Sequence, residues 1–384
     1  MVESSSSLPV RCRVLQVLGR MARGGAELRT LEVMRQLAPQ GIVSDVLAMS
    51  GQAGELDAEV AACGGVVIPL ARRWGWQRRL RKVLRDGGYA AVHSHVHYFS
   101  GWMLRAAHQA GVPVRVAQFH SLDDGNGQGI LRRVYRWRAQ RLIARHATAI
   151  LGVSRSVLAA NWPAHQTDAR CQVIYNGVDL PAFLRAPPPR ADLRQALLGA
   201  GHPALKIVIH VGNLTPPKNH ALILRIFAVV AERRPDVHLV LVGRGDPQSE
   251  HDLRQRLAAS PHATRMHFLG SRPDVPSLLL AADAFLFPSL REGLPGALVE
   301  ACAAGLPCLA SGIGPCREVA ERIPLVRCLS VERPPEEWVE ALLEMLAEGR
   351  RRSPVEAGHL VTAAGFDVIG SSVRYAALWQ GGRP

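Results

Sequence analysis

Lysine is almost missing from this chain of 384 residues: Lys82, Lys206 and Lys218 stand against 43 arginines. A chain that writes nearly every cation as arginine marks the few places where it does not, because an ammonium is a compact point charge and a guanidinium a planar fork. No run of eighteen apolar residues occurs, so no segment is expected to span a bilayer. The seven cysteines are odd in number and include no C-x-x-C, which argues for reduced thiols in a cytoplasm and against disulfides or structural zinc. The serine-rich Met1–Pro9 has no apolar core of signal-peptide length and reads as a frayed tail.

What is present suits two α/β domains of ordinary size, since 48% of the residues are hydrophobic. Strand-like runs fall at Arg13–Leu18, Ser44–Ala48, Val66–Pro69, Ala91–Ser94, Val114–Gln118, Ala149–Val153 and Gln172–Tyr175, with helical stretches between them. That alternation predicts a parallel, doubly wound sheet. It restarts at Lys206–Val211, Val237–Val242, Met266–Leu269, Ala284–Phe287 and Cys308–Ala310. Between the two series lies Ala186-Pro187-Pro188-Pro189-Arg190, which can form neither helix nor central strand, and the boundary is expected near 186–202. The expected division is a first domain over 1–190, a second over 203–365 and a closing helical segment over 366–384. In open α/β sheets ligands bind beyond the carboxyl ends of the strands, so two such sheets face to face would enclose a site in the cleft between them.

Charge is uneven. Lys+Arg minus Asp+Glu is 24 − 12 = +12 for residues 1–185 and 22 − 20 = +2 for 186–384. Two basic clusters carry aromatics: Arg72 to Arg85 with Trp74 and Trp76, and Ile130 to His146 with Tyr135 and Trp137. In the second, Leu131, Val134, Trp137, Arg138, Arg141, Leu142 and Arg145 recur at helical spacing, an apolar stripe flanked by arginines. Such helices lie on anionic bilayer surfaces. Nucleic-acid phosphate attraction and plain solvated helix faces are the competing accounts.

The segment richest in chemistry is Ser289 to Glu300. It sets two carboxylates, Glu292 and Glu300, eight residues apart, between the apolar run Ala284–Phe287 and a helical stretch that Gly305 stops. Glu292 falls on the loop and Glu300 inside the helix, with Gly293, Leu294, Pro295 and Gly296 between. The amides of Gly293, Leu294 and Gly296 are expected to be open at the helix N-terminus, where the dipole favours oxyanions. Carboxylates accept hydrogen bonds from vicinal hydroxyls, so one Glu can hold a sugar and the other a ribose, with phosphates between. The plain alternative is a surface glutamate before an ordinary helix. Gly24 and Gly25 expose amides to which a pyrophosphate can come close, or form just a turn. Lys218, after a strand, can neutralise charge on a diphosphate, or be one exposed loop residue. His93, His95 and His97 alternate at a strand end and can share one face; with no acidic cluster beside them and no D-x-D in the chain, they read as polar packing rather than a metal site. Asp123 and Asp124 sit in a glycine-rich loop where they can touch an acceptor or be solvated.

The Glu292-x7-Glu300 pattern resembles the signature of the retaining glycosyltransferases of the GT-B fold, family 4. Other segments match that family in order: Arg23-Gly24-Gly25-Ala26-Glu27, Val92-His93-Ser94-His95, Phe119-His120-Ser121, Val173 to Asp179, and Val211-Gly212-Asn213-Leu214 followed by Lys218. The resemblance runs from about Val14 to the C-terminus, whose last helix, Phe366 to Gln380, looks like the family's closing helix that packs back on the first domain.

The resemblance implies two Rossmann-like domains facing a cleft and a nucleoside diphosphate sugar as donor, with no cofactor or metal ion. It implies a lipid-linked or glycan acceptor; with the basic aromatic clusters and the reduced cysteines, the expectation is a cytoplasmic enzyme at an anionic membrane surface, with no nucleic acid. It places His120 near the donor sugar and Gly24 and Gly25 at the distal phosphate. Lys218 and the amides of Gly25 and Leu294 would stabilise the departing phosphate, Glu292 would orient the sugar, and Glu300 would hold the ribose. His95, Asp123 and Asp124 fall on the acceptor side. Retaining transfer in the family is written as a front-face displacement in which the leaving phosphate takes the acceptor's proton. One departure stands out: Asn213 replaces an Arg common in the family, and Arg244, Arg20 or Arg23 are candidates to supply that charge. The alternative function is a sugar-nucleotide epimerase of similar build, which would bind the same donor and need no acceptor.

Overall fold

The computed structural model describes residues 10–124, 127, 129–185, 190–198, 205–349 and 352–382. The apolar runs form thirteen strands: β1 Cys12–Leu18, β2 Ile42–Ala48, β3 Val67–Pro69, β4 Ala91–Ser94, β5 Val114–Phe119, β6 Ala149–Gly152, β7 Cys171–Val173, β8 Lys206–Val211, β9 Val237–Val242, β10 Met266–Phe268, β11 Ala284–Phe287, β12 Cys308–Ser311 and β13 Val326–Leu329. All pair in parallel, in two sheets of order β3-β2-β1-β4-β5-β6-β7 and β10-β9-β8-β11-β12-β13. Helices cover both faces, which is why β2, β6, β11 and β12 are buried along their whole length.

Strand order reverses between β1 and β4 in the first sheet and between β8 and β11 in the second. At such a switch point the connecting helices go to opposite faces and leave a crevice beyond the carboxyl ends of the two strands. The glycine pair follows β1 and His95 follows β4; Lys218 follows β8 and Glu292 follows β11. Topology thus brings residues far apart in sequence to two crevices, one per sheet.

The chain divides into two compact units, Met1–Gly177 with Asp367–Pro384, and Val178–Phe366. This division falls ahead of the proline stretch, of which residues 186–189 lie outside the described residues. The helix Arg190–Leu198 belongs to the second unit because Arg194 Nη1 reaches Asp283 Oδ2 at 2.9 Å, in a site where both side chains are buried. The closing helix Val368–Trp379 is part of the first unit's core: Val368, Tyr375, Leu378 and Trp379 pack with Val14, Leu37, Ala91, Val116 and Leu151. Asp367 caps it by accepting from the Gly370 amide at 2.6 Å. Where the chain leaves and re-enters this unit its two passes touch, since a Cβ on Gly177 would lie 2.1 Å from the Asp367 carbonyl carbon. Among the described residues no helix is long and apolar enough to cross a membrane.

Candidate active site

In the second unit the β8 loop is stiffened by Pro216 and Pro217 and ends in a 3-10 turn, Pro216–Lys218. Asn219, left-handed at φ 55°, turns the chain into the helix His220–Arg233. This turn is stitched to the segment after β11: the Leu290 amide donates to the Pro217 carbonyl at 2.7 Å, and Asn219 Nδ2 donates to the Pro288 carbonyl at 3.2 Å. The result is an ion pair across the crevice, Lys218 Nζ to Glu292 Oε1 at 2.6 Å, with the ammonium 4.9 Å from the Phe287 ring centroid. Both side chains are mostly covered, 20% and 10% exposed, so this is a held pair and not a loose surface contact.

Of the glycines of this crevice, Gly243 is a steric necessity and Gly212 a tight fit. A Cβ on Gly243 would lie 1.9 Å from the Gly212 carbonyl oxygen, and one on Gly212 would meet His210 Nε2 at 3.0 Å and Lys218 Cδ at 3.1 Å. Beside them the Leu214 amide donates to the Arg244 carbonyl at 2.8 Å, and Asn213 Oδ1 accepts from the Arg244 amide at 3.4 Å. Arg244, exposed, therefore sits next to Asn213. His210, unremarked in the sequence, is fully buried: its Nδ1 donates to the Leu286 carbonyl at 2.9 Å, and burial lowers it to about 3. It floors the Lys218 loop as a neutral ring. Its one signal in the sequence was a polar residue inside the otherwise apolar run 207–211.

The helix Gly296–Ala303 begins after buried Pro295 and carries Glu300, half-buried. The Gly296 amide, expected to be open, donates to the Leu294 carbonyl at 2.9 Å. A tight turn before the helix captures it, so Gly296 drops out of the amide set.

In the first unit Gly24 is the N-cap and Gly25 the first residue of the helix Gly25–Leu37. Gly24 lies against Glu27, whose Oε2 would be 2.3 Å from an added Cβ and would have to swing away, and its amide donates to the Ala22 carbonyl at 2.8 Å. Burial raises the Glu27 carboxyl above its usual range. A Cβ on Gly25 would meet nothing within 4 Å, so there is open space beside it at the helix N-terminus.

The histidines of β4 part company. His93 and His95 lie on one side, ring centroids 4.2 Å apart, while His97 leaves the strand in a 3-10 turn at φ 52° and packs edge-on against Tyr98 and Phe119. His95 is hydrogen-bonded on both nitrogens, Nδ1 to His120 Nε2 at 2.8 Å and Nε2 to Gln16 Oε1 at 2.9 Å. It is therefore not placed as a free acceptor contact. The pocket that His95 and His120 share with Gln16, His93, Gln118, Tyr375 and Trp379 has about 20 Å³ of space, room for one water. Asp124 is neither solvated nor open: its buried carboxylate is held by Arg132 and, at 2.6 Å, by Arg136 Nη2 of the helix Ile130–His146. It fastens the loop to that helix. Asp123 stays exposed beside it.

Burial holds His93 at about 3 and His97 and His120 at about 4, each below the 6.5 of an unfolded imidazole, and His95 well below it. The unfolded chain then binds more protons between these values, so stability is complete above pH 6.5 and is lost as pH falls toward 4. Six of the seven tryptophans lie in the first unit. Tryptophan fluorescence should show its urea midpoint flat above pH 6.5 and dropping below. Each histidine adds at most about 1.4 kcal/mol per pH unit, and a His93→Gln variant should fall less steeply.

Two doubly wound units, each with its candidate residues at a switch point, are the architecture of a GT-B glycosyltransferase. A family model described as Glycosyltransferase Family 4 matches residues 23–181, and one described as Glycosyl transferases group 1 matches residues 205–348. The chain belongs to this family and is a glycosyltransferase. It is 33% identical to the putative glycosyltransferase EpsF of Bacillus subtilis over 88% of each chain. It is 31% identical to the Escherichia coli UDP-Gal:alpha-D-GlcNAc-diphosphoundecaprenol alpha-1,3-galactosyltransferase, over 61% of this chain and 60% of that one. The fold matches Anabaena Alr3699/HepE in complex with UDP, with a TM-score of 0.78 at 19% identity, covering 96% of this chain and 99% of that one.

Proposed function

We propose that this glycosyltransferase moves a hexose, with retention and without a metal ion, from a nucleoside diphosphate sugar to a lipid-linked or polysaccharide acceptor in surface-glycan synthesis. The observation that carries the reading is the Lys218–Glu292 pair at the β8/β11 switch point, a cation and a hydroxyl-binding carboxylate within 2.6 Å of each other. Donor diphosphate oxygens would meet the ammonium, with Arg244 beside Asn213 as the second cation, and the amide of Leu294 as a neutral donor. Glu292 would then turn to the sugar and Glu300 to the ribose. As the phosphate departs it gains charge opposite a fixed ammonium, which is where electrostatic stabilisation has most effect.

Calorimetric titration with UDP, GDP, ADP and CMP, each with and without EDTA, tests this. One nucleoside diphosphate should bind, EDTA should change nothing, and Glu300→Ala should weaken it by at least 10-fold, the loss of charge-assisted hydrogen bonds to the ribose. Failure of all four to bind would remove the donor assignment.

Membrane-surface docking is supported by the helix Ile130–His146. Ala139, Ile143 and His146 face the core, whereas Ile130, Leu131, Val134 and Trp137 are exposed, Leu131 at 88%. Arginines frame them, Arg141 stacking on Trp137 at 4.1 Å. Neighbouring Trp74 is 96% exposed among Arg72, Arg73, Arg78 and Arg81. Leu131→Glu with Trp137→Glu should reduce co-sedimentation with anionic vesicles by at least about 10-fold, since each change removes an apolar anchor and adds repulsion. Equal sedimentation with neutral vesicles would contradict the electrostatic part.

A further inference from the structure

The hydrogen-bond chain at the β1/β4 switch point has a direction, and the direction decides which nitrogen His120 presents. Gln16, buried on β1, has its Nε2 3.3 Å from Ser44 Oγ and its Oε1 2.9 Å from His95 Nε2. An amide oxygen only accepts, so the His95 proton is on Nε2. A neutral imidazole has one N–H. His95 Nδ1 is therefore a lone pair, and His120 Nε2, 2.8 Å away, must donate to it. His120 is left with a bare Nδ1, to which none of the described hydrogen bonds runs.

We infer that Gln16 and His95 are positioning residues that lock His120 in its Nε2–H tautomer, so that Nδ1 accepts a hydrogen bond from a substrate hydroxyl. This rests on the glycosyl-transfer reading, in which His120 meets the sugar. The groups facing the imidazole pair are His93, His97, Arg29 and Tyr375, and no carboxylate lines the cavity among the described residues. Nothing there stabilises an imidazolium, and an imidazolium could only donate. No proton is transferred through the chain; its work is to fix one lone pair. The amide orientation is the hinge of the whole arrangement: with Gln16 reversed, every donor and acceptor inverts and His120 presents an N–H.

Two measurements decide it. Long-range proton–nitrogen spectra of full-length protein labelled in histidine, with His120→Asn for assignment, should show His120 protonated on Nε2 and bare on Nδ1. They need no substrate, so they stand even if no donor is turned over, an outcome that would sink the glycosyl-transfer reading alone. The second is the pH profile of Gln16→Glu. A carboxylate there accepts as the amide oxygen does but favours a doubly protonated His95, whose Nδ1–H would force the wrong tautomer on His120. Turnover should match the wild type at high pH and fall by about 10-fold, one hydrogen bond's worth, as pH drops through the new Glu–His titration. Gln16→Leu should lose about as much at every pH, in kcat more than in donor KM. His120 protonated on Nδ1, a Gln16→Glu profile that falls as pH rises, or one parallel to the wild type would each overturn the inference.

Discussion

Lys218→Ala should lower kcat by about 100-fold or more while leaving the fold intact. Its ammonium stands 2.6 Å from Glu292 and above Phe287, on a turn that two prolines and two backbone-linked contacts hold in place. The protein has thus fixed the position of the charge before any ligand arrives, and a fixed charge opposite a departing phosphate does not need to reorganise during the reaction. Removing it also leaves Glu292 without that cation. Lys218→Arg should restore little. A planar guanidinium does not reproduce a compact ammonium placed 2.6 Å from Glu292. Steady-state kinetics with the donor found by calorimetry, beside melting curves of the same variants, check this. A loss smaller than 10-fold in Lys218→Ala at unchanged stability would remove the lysine from the phosphate.

The largest effect on stability should come from Asp283→Ala. This carboxylate, 3% exposed just before β11, accepts from Arg194 Nη1 at 2.9 Å and from the Ile207 amide at 2.8 Å, with Lys206 Nζ at 3.6 Å. Alanine would leave Arg194, itself buried, with its charge uncompensated, and a β8 amide without its acceptor. Breaking a buried pair from one side costs about 3–5 kcal/mol. Scanning calorimetry should show the second unit's transition moving down while the first unit's stays. Replacing Arg194 and Asp283 together by apolar residues should cost much less than Asp283→Ala alone, because no orphaned charge remains.

Twelve of the strands were legible because each carries a mostly apolar run, the nine central ones most clearly. β13 was not: it is a four-residue edge strand in which exposed Arg327 interrupts the pattern. The carboxylate pair was legible as local sequence around one loop and helix. Its partner Lys218 stood out by composition, yet the contact between them depends on β8 and β11 being neighbours, which no local pattern states. Asp124 was misjudged because glycine-rich surroundings suggest solvent. Arg132 and Arg136, one turn apart on the helix that follows, were the available signal. The Gly296 amide was assigned from helix position, and a turn between Leu294 and Gly296 overrode that rule. Gln16 and the order of its hydrogen bonds leave no trace in spacing at all.

Because the first unit is completed by Asp367–Pro384, its first segment emerges from the ribosome before the helix that closes its core has been made. The β1–β7 sheet can assemble early, but the face that Tyr375, Leu378 and Trp379 cover stays bare until the whole of Val178–Phe366 has been made. At ordinary rates of synthesis that wait lasts on the order of ten seconds. Through it the nascent chain carries an apolar sheet face beside its arginine-rich helices, and the helix Val368–Trp379 is the plug that finally covers it.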